Sequence, residues 1–181
     1  GSWKLSDLLK LILVSSSNSG IEIISDRLSL LQEFFYRKGH FLSLMNKKAK
    51  ALGLDQTHFL NESGLDINDS LAGAYGSAVN VATLFDYAIE HYPDIFGATK
   101  YDSIIITSVE GKFETVLNTN KSVSEIALLV ASKTGLTDLA GGNLAIAFDT
   151  KDNGRIIVVV LGSTQEDRFL DAESLANVFK K

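Results

Sequence analysis

Apolar residues recur every three to four positions over the first half of the chain, and later give way to short apolar runs broken by glycine-containing turns. Leu8, Leu9, Leu11, Ile12 and Leu13 follow Ser6-Asp7, a helix-start signal, and predict a largely buried helix that runs out at Ser15-Ser16-Ser17-Asn18-Ser19-Gly20. The spacing of Ile21, Ile24, Leu28, Leu31 and Phe35 predicts a second helix from Ile21 to Tyr36, ended by Gly39, with Phe34, Phe35 and Tyr36 in or beside the core. A third, Phe41 to Leu52, places Leu44, Met45 and Leu52 inward and Lys47, Lys48 and Lys50 outward. Val79 to Tyr92 reads as a fourth, closed by Pro93. Residues 55–77 are a long irregular stretch rich in Asp, Asn, Ser and Gly, and a loop of that length inside a compact domain implies a site wall.

Strand-like runs follow. Ser103 to Val109 and Phe113 to Leu117 flank Glu110-Gly111, and Asn143 to Asp149 and Arg155 to Leu161 flank Asp152-Asn153-Gly154, so two hairpins are predicted. A closing helix from Asp171 to Lys181 is capped by Asp171. Helices first, antiparallel strands later and a terminal helix predict one α+β domain, an antiparallel sheet flanked by helices.

Composition narrows the function. With 181 residues, 45% apolar and 22% charged, the chain can bury one core, and nothing suggests extensive disorder. The 17 Lys and Arg against 22 Asp and Glu give a net charge of -5, with no basic stripe to meet phosphates, so no nucleic acid is expected as a partner. There is no cysteine, which rules out disulfides and thiol chemistry. No apolar run approaches the roughly 20 residues that a membrane helix needs. His40, His58 and His91 lack metal-ligand spacing, and His58 is expected to be a structural residue under the long loop. Asp66-Ile67-Asn68-Asp69-Ser70 resembles a calcium loop, but Leu71 stands where glycine is needed and Ser77 where a bidentate Glu belongs. No metal and no cofactor are expected. Gly73, Gly76, Gly141 and Gly142 fit no nucleotide motif and are explained by turns.

Two short patterns could carry chemistry. Ser16-Ser17-Asn18 sits at the bend between the first two helices, and Lys133-Thr134-Gly135 precedes the second hairpin. Alone, the serines read equally well as a helix end followed by an N-cap, and the lysine as a solvated strand residue. Acyl transfer from a peptide requires a hydroxyl nucleophile, an amine or hydroxyl to relay its proton and donors for the developing oxyanion, and together the two patterns supply the relay and the substrate grips.

With these patterns the chain resembles the D-alanyl-D-alanine carboxypeptidases among the penicillin-binding proteins, of the serine β-lactamase-like superfamily. The resemblance covers nearly the whole chain. It includes Leu44-Met45-Asn46 with Ala49 and Leu52-Gly53, Thr57-His58-Phe59-Leu60-Asn61 with Ser63-Gly64-Leu65-Asp66, Asn118-Thr119-Asn120, and Lys133 to Thr137 with Ala140-Gly141. It implies that Ser16 takes part in proton relay and Asn18 holds the substrate backbone. Lys133 would support the relay and attract the terminal carboxylate, and Thr134 would hydrogen-bond it. Gly135 would let substrate lie close to the strand, and the Leu136 N–H would form half of an oxyanion hole. A peptidoglycan stem peptide is the implied substrate and β-lactam antibiotics are implied ligands, outside the cytoplasmic membrane.

One motif of the resemblance is missing. No lysine of the chain has a serine three residues before it, so Ser-x-x-Lys, which would hold the nucleophile and its base, does not occur. The expectation is that this is a C-terminal portion of a longer enzyme, inactive alone, whose export signal and nucleophile lie upstream. A homodimer, a rearrangement near residues 8–24 or a complementing chain is expected to cover apolar surface. The alternatives are a non-catalytic muropeptide-binding or scaffolding module, and a serine β-lactamase.

Overall fold

The computed structural model describes residues 1–31, 39–152 and 154–179. The extension of the second helix to Tyr36, with the Phe34, Phe35 and Tyr36 cluster, and Asn153 of the second hairpin turn lie outside the described residues. In order, the elements are α1 (Leu5–Ser15), α2 (Asn18–Leu31), α3 (His40–Ala51), β1 (His58–Phe59), β2 (Ala74–Tyr75), α4 (Ala78–His91) and α5 (Pro93–Phe96). After a single 3₁₀ turn come β3 (Ser103–Thr107), β4 (Phe113–Leu117), β5 (Leu129–Thr137), β6 (Gly141–Thr150), β7 (Gly154–Ser163) and α6 (Asp167–Asn177).

Strand β6 explains the architecture. Its side chains alternate, Leu144, Ile146 and Phe148 packing with Phe169, Ala172 and Ala176 of α6, while Ala145 and Ala147 pack with Phe85 and Ile89 of α4. Being buried on both faces, β6 lies at the centre of an antiparallel sheet ordered β5-β6-β7, sandwiched between α6 and α4. The small residues on the α4 face, Ala131 included, leave room for the Phe85 ring. A separate hairpin, β3-β4, receives α1: Val14 is fully buried against Ile106 and Val116. The outer face of that hairpin, with Ile105, Phe113 and Leu117, is exposed.

The α+β architecture and both hairpins are as the pattern predicts, and several details differ. Ser6 does not cap α1; Lys4 precedes the helix and no side chain caps it. Leu44 faces outward from α3, on the side that Lys47 and Lys48 occupy one turn on and away from the buried Ala49. Pro93 does not simply end α4 but starts α5, at the first helical position where its missing N–H is no loss. Helix α6 starts four residues before Asp171, whose carboxylate accepts from Ser163 Oγ at 2.7 Å instead of capping. The 55–77 segment is pinned by the two-residue pairing of β1 with β2. His58 lies exposed on β1 rather than under the loop.

Candidate active site

The bend between α1 and α2 is built from three serines with separate tasks. Ser15 Oγ donates back to the Leu11 carbonyl at 2.8 Å, and Ser17 Oγ accepts from the Gly20 N–H at 3.1 Å, capping α2. Ser16, between them, ends α1 in the left-handed region, φ 52° and ψ 45°, a conformation that β-carbon-bearing residues adopt at a cost of about 1 kcal/mol. That twist frees the Ser16 side chain from both helices.

Strand β5 supplies the opposing group. Lys133 is registered opposite Ala145 of β6 and Gly135 opposite Asn143. The Lys133 ammonium donates to Ser16 Oγ at 2.6 Å and to the carbonyl of Thr134 at 2.6 Å. Withdrawal from water, and secondarily the positive charge of Arg168, push its pKa down from 10.5 to about 8. A lysine so tuned gives and takes a proton near neutral pH.

Ser16, Asn18, Lys133, Thr134, Gly135 and Leu136 all line one cleft of about 1070 Å³. The helical start of α2 holds Asn18 at its exposed rim, and Leu136 is likewise exposed at the end of β5. Thr134 is buried, its Oγ1 2.6 Å from Oγ1 of Thr119. A Cβ at Gly135 would meet Asn143 only at an ordinary 3.5 Å, so the surrounding chain does not demand glycine; the open side is the cleft. The long loop contributes Phe59, Leu65, Ala72 and Tyr75 to the lining of the same cleft.

Two contributors escaped the sequence reading as site residues. Arg168 of α6 is buried, donates Nη1 to the Gly135 carbonyl at 2.7 Å, and has no partner for Nε among the described residues. Its signal was an arginine in register with Phe169, Ala172 and Ala176 on the apolar stripe of a helix, hidden because the helix was expected to start later. Thr119 had no signal beyond its place in Asn118-Thr119-Asn120. The cleft is thus lined by Lys121, Lys133 and Arg168 and, among the described residues, by no Asp or Glu, although the chain carries a net charge of -5. Of these, Lys121 is paired with both carboxylate oxygens of Glu166 at 3.0 and 3.1 Å, which leaves Lys133 and Arg168 as the cations facing no carboxylate partner in the cleft lining.

The helix-flanked antiparallel sheet is the fold of solved penicillin-binding proteins. Solved structures agree: penicillin-binding protein D2 of Listeria monocytogenes, in its cefotaxime-bound form, superposes with a TM-score of 0.81 at 29% identity over 99% of this chain and 67% of its own. The Streptomyces K15 DD-transpeptidase shares the fold, with a TM-score of 0.81 at 23% identity over 96% of this chain and 66% of its own. The chain belongs to the D-alanyl-D-alanine carboxypeptidase family, whose profile matches residues 1–165. It is 33% identical over 163 residues to the carboxypeptidase DacF of Bacillus subtilis, covering 90% of this chain, and 31% identical over 173 residues to DacC of Escherichia coli, covering 94%. In both cases it spans 39% of the relative's length.

Proposed function

We propose that this chain is the substrate-gripping and proton-relay portion of a serine-type D-alanyl-D-alanine carboxypeptidase that trims peptidoglycan stem peptides outside the cytoplasmic membrane. The observation that carries this reading is the 2.6 Å contact of Lys133 Nζ with Ser16 Oγ inside a cleft that Arg168 also lines. Peptide C-termini are carboxylates, and Lys133, Arg168 and Thr134 together offer two positive charges and a hydroxyl to one. Gly135 lets the peptide backbone lie along β5, Asn18 meets it from the other side, and the Leu136 N–H faces the developing oxyanion. As the scissile bond breaks, the departing amine takes a proton from Ser16, which Lys133 replaces.

The acylated serine of a Ser-x-x-Lys motif is not among these residues, so the reading has it supplied from outside this sequence, and the chain alone forms no acyl-enzyme. β-Lactams occupy the same cleft through their own carboxylate. Incubation with a labelled penicillin tests this: the chain alone stays unlabelled, and the protein extended to include Ser-x-x-Lys acquires a covalent label. A folded extended protein that stays unlabelled leaves the alternative of a non-catalytic muropeptide-binding module.

A further inference from the structure

Behind Thr134 the cleft wall holds a second hydroxyl in a rigid mount. The Thr119 N–H donates to the Val14 carbonyl at 3.1 Å, and its Oγ1 lies 3.4 Å from the same oxygen. Asn118 Nδ2 donates to the carbonyls of Thr99 and Tyr101 at 2.9 Å each, and Asn118 Oδ1 accepts from the Asn120 N–H at 2.9 Å. Thr119 is therefore held on both sides by backbone and Asn118 hydrogen bonds, while its hydroxyl proton can rotate.

Thr119 Oγ1 and Thr134 Oγ1, 2.6 Å apart, share one of their two protons. When Thr119 donates to Val14, Thr134 must donate to Thr119, and it shows only lone pairs to the cleft. When Thr119 donates to Thr134, the Thr134 proton is left for a ligand. The second state gives up little, because 3.4 Å is at the limit of a hydrogen bond and the Val14 carbonyl keeps the N–H of Thr119. A carboxylate can only accept, so it selects the second state; a terminal amide both donates and accepts, and either state serves it.

On the reading that Thr134 grips the substrate's carboxylate, we propose that Thr119 is a positioning residue that sets the direction of the Thr134 hydroxyl, and so contributes to the preference of the cleft for a C-terminal carboxylate over a C-terminal amide. Without the Thr119 hydroxyl the Thr134 rotor is unfixed and its lone pair is left buried without a donor.

The test is an NMR titration of the chain with an N-acetylated peptide ending in D-Ala-D-Ala and with its C-terminal amide. The wild type binds the acid more tightly. Thr119→Val weakens the acid about fivefold and the amide by less than about twofold, as loss of the one neutral hydrogen bond that turns the Thr134 proton toward the ligand implies. Thr119→Ser restores the acid preference, and Thr119→Ala replaces the valine variant if that one does not fold. A valine variant that keeps the wild-type preference, or loses acid and amide equally, overturns the role of Thr119 alone. A wild type with no preference for the acid overturns the carboxylate-gripping reading, and this inference with it.

Discussion

Lys133 Nζ lies 2.6 Å from Ser16 Oγ although 117 residues separate them in sequence. The contact joins two packing units: α1 ends against the β3-β4 hairpin, and β5 belongs to the sheet between α4 and α6. Neither unit makes the site alone. The amine comes from a strand fixed by two layers of helices, and the hydroxyl from a bend whose twist aims it there.

Because burial lowers the Lys133 pKa to about 8, with Arg168 as the second cause, Lys133 is expected to titrate near pH 8 in a carbon-13 NMR titration of labelled lysines. Arg168→Gln raises that value, since it removes the like charge, but does not bring it to 10.5, because the larger cause is burial. A Lys133 that titrates with the surface lysines contradicts the withdrawn amine on which the relay depends.

The same shift makes stability depend on pH. Below pH 8 both folded and unfolded chains hold the Lys133 proton, and the fold carries the desolvation penalty. Between about 8 and 10.5 the unfolded chain binds more protons, so stability rises with pH, and above 10.5 the penalty is gone. Integrated, the interval is worth roughly 3 kcal/mol. Denaturant unfolding at pH 7 and pH 10 should show most of this gain in the wild type relative to Lys133→Met, which lacks the titrating group. An equal pH dependence in the two proteins would count against it.

Much of this arrangement was legible in the sequence, and the misses have physical causes. The apolar run from Ile156 to Leu161 and the Asp152-Asn153-Gly154 turn marked β6 and β7, but β5 went unassigned as an element. It mixes Ala131 and Ser132 with Lys133, Thr134 and Gly135, so no alternation of apolar and polar shows, and its strand character comes from pairing with β6. Ser16 and Lys133 were legible as a pair only through the resemblance, since each triplet alone is common. Arg168 was missed because a buried arginine reads as a surface residue until the helix boundary is known. Gly73 was assigned to a turn, while its actual constraint is contact between two parts of a loop.

Ser16 offers a substitution that separates backbone strain from chemistry. Glycine adopts the left-handed conformation without the Cβ penalty, whereas alanine keeps it. Ser16→Gly and Ser16→Ala lose the same hydroxyl, so both leave Lys133 with the Thr134 carbonyl alone of its two acceptors. The glycine variant should nonetheless be more stable than the alanine variant by about 1 kcal/mol in denaturant unfolding. Equal stability would mean that residue 16 does not hold the twisted conformation.

Gly73 tests the contribution of the long loop to the cleft. A Cβ there would stand 2.2 Å from the Leu65 carbonyl oxygen and 2.7 Å from the Asn61 side-chain amide, closer than van der Waals contact allows. The crowding is itself ordered: the Gly73 carbonyl accepts from the N–H groups of Leu60 and Asn61 at 2.8 and 3.2 Å, Asn61 Nδ2 donates to the Leu65 carbonyl at 2.7 Å, and Asn61 Oδ1 accepts from the Gly64 N–H at 2.6 Å. Gly73→Ala must therefore displace Leu65, which lines the same cleft as Lys133. The core around Ile146 and Phe169 contains no residue of this loop, so its packing should survive. Amide exchange should quicken over residues 58–75 and stay slow in β5 and β6, while affinity for a peptide ending in D-Ala-D-Ala falls several-fold. Loss of protection in β6 would show instead that the loop supports the core, and unchanged affinity would show that its wall does not touch the ligand.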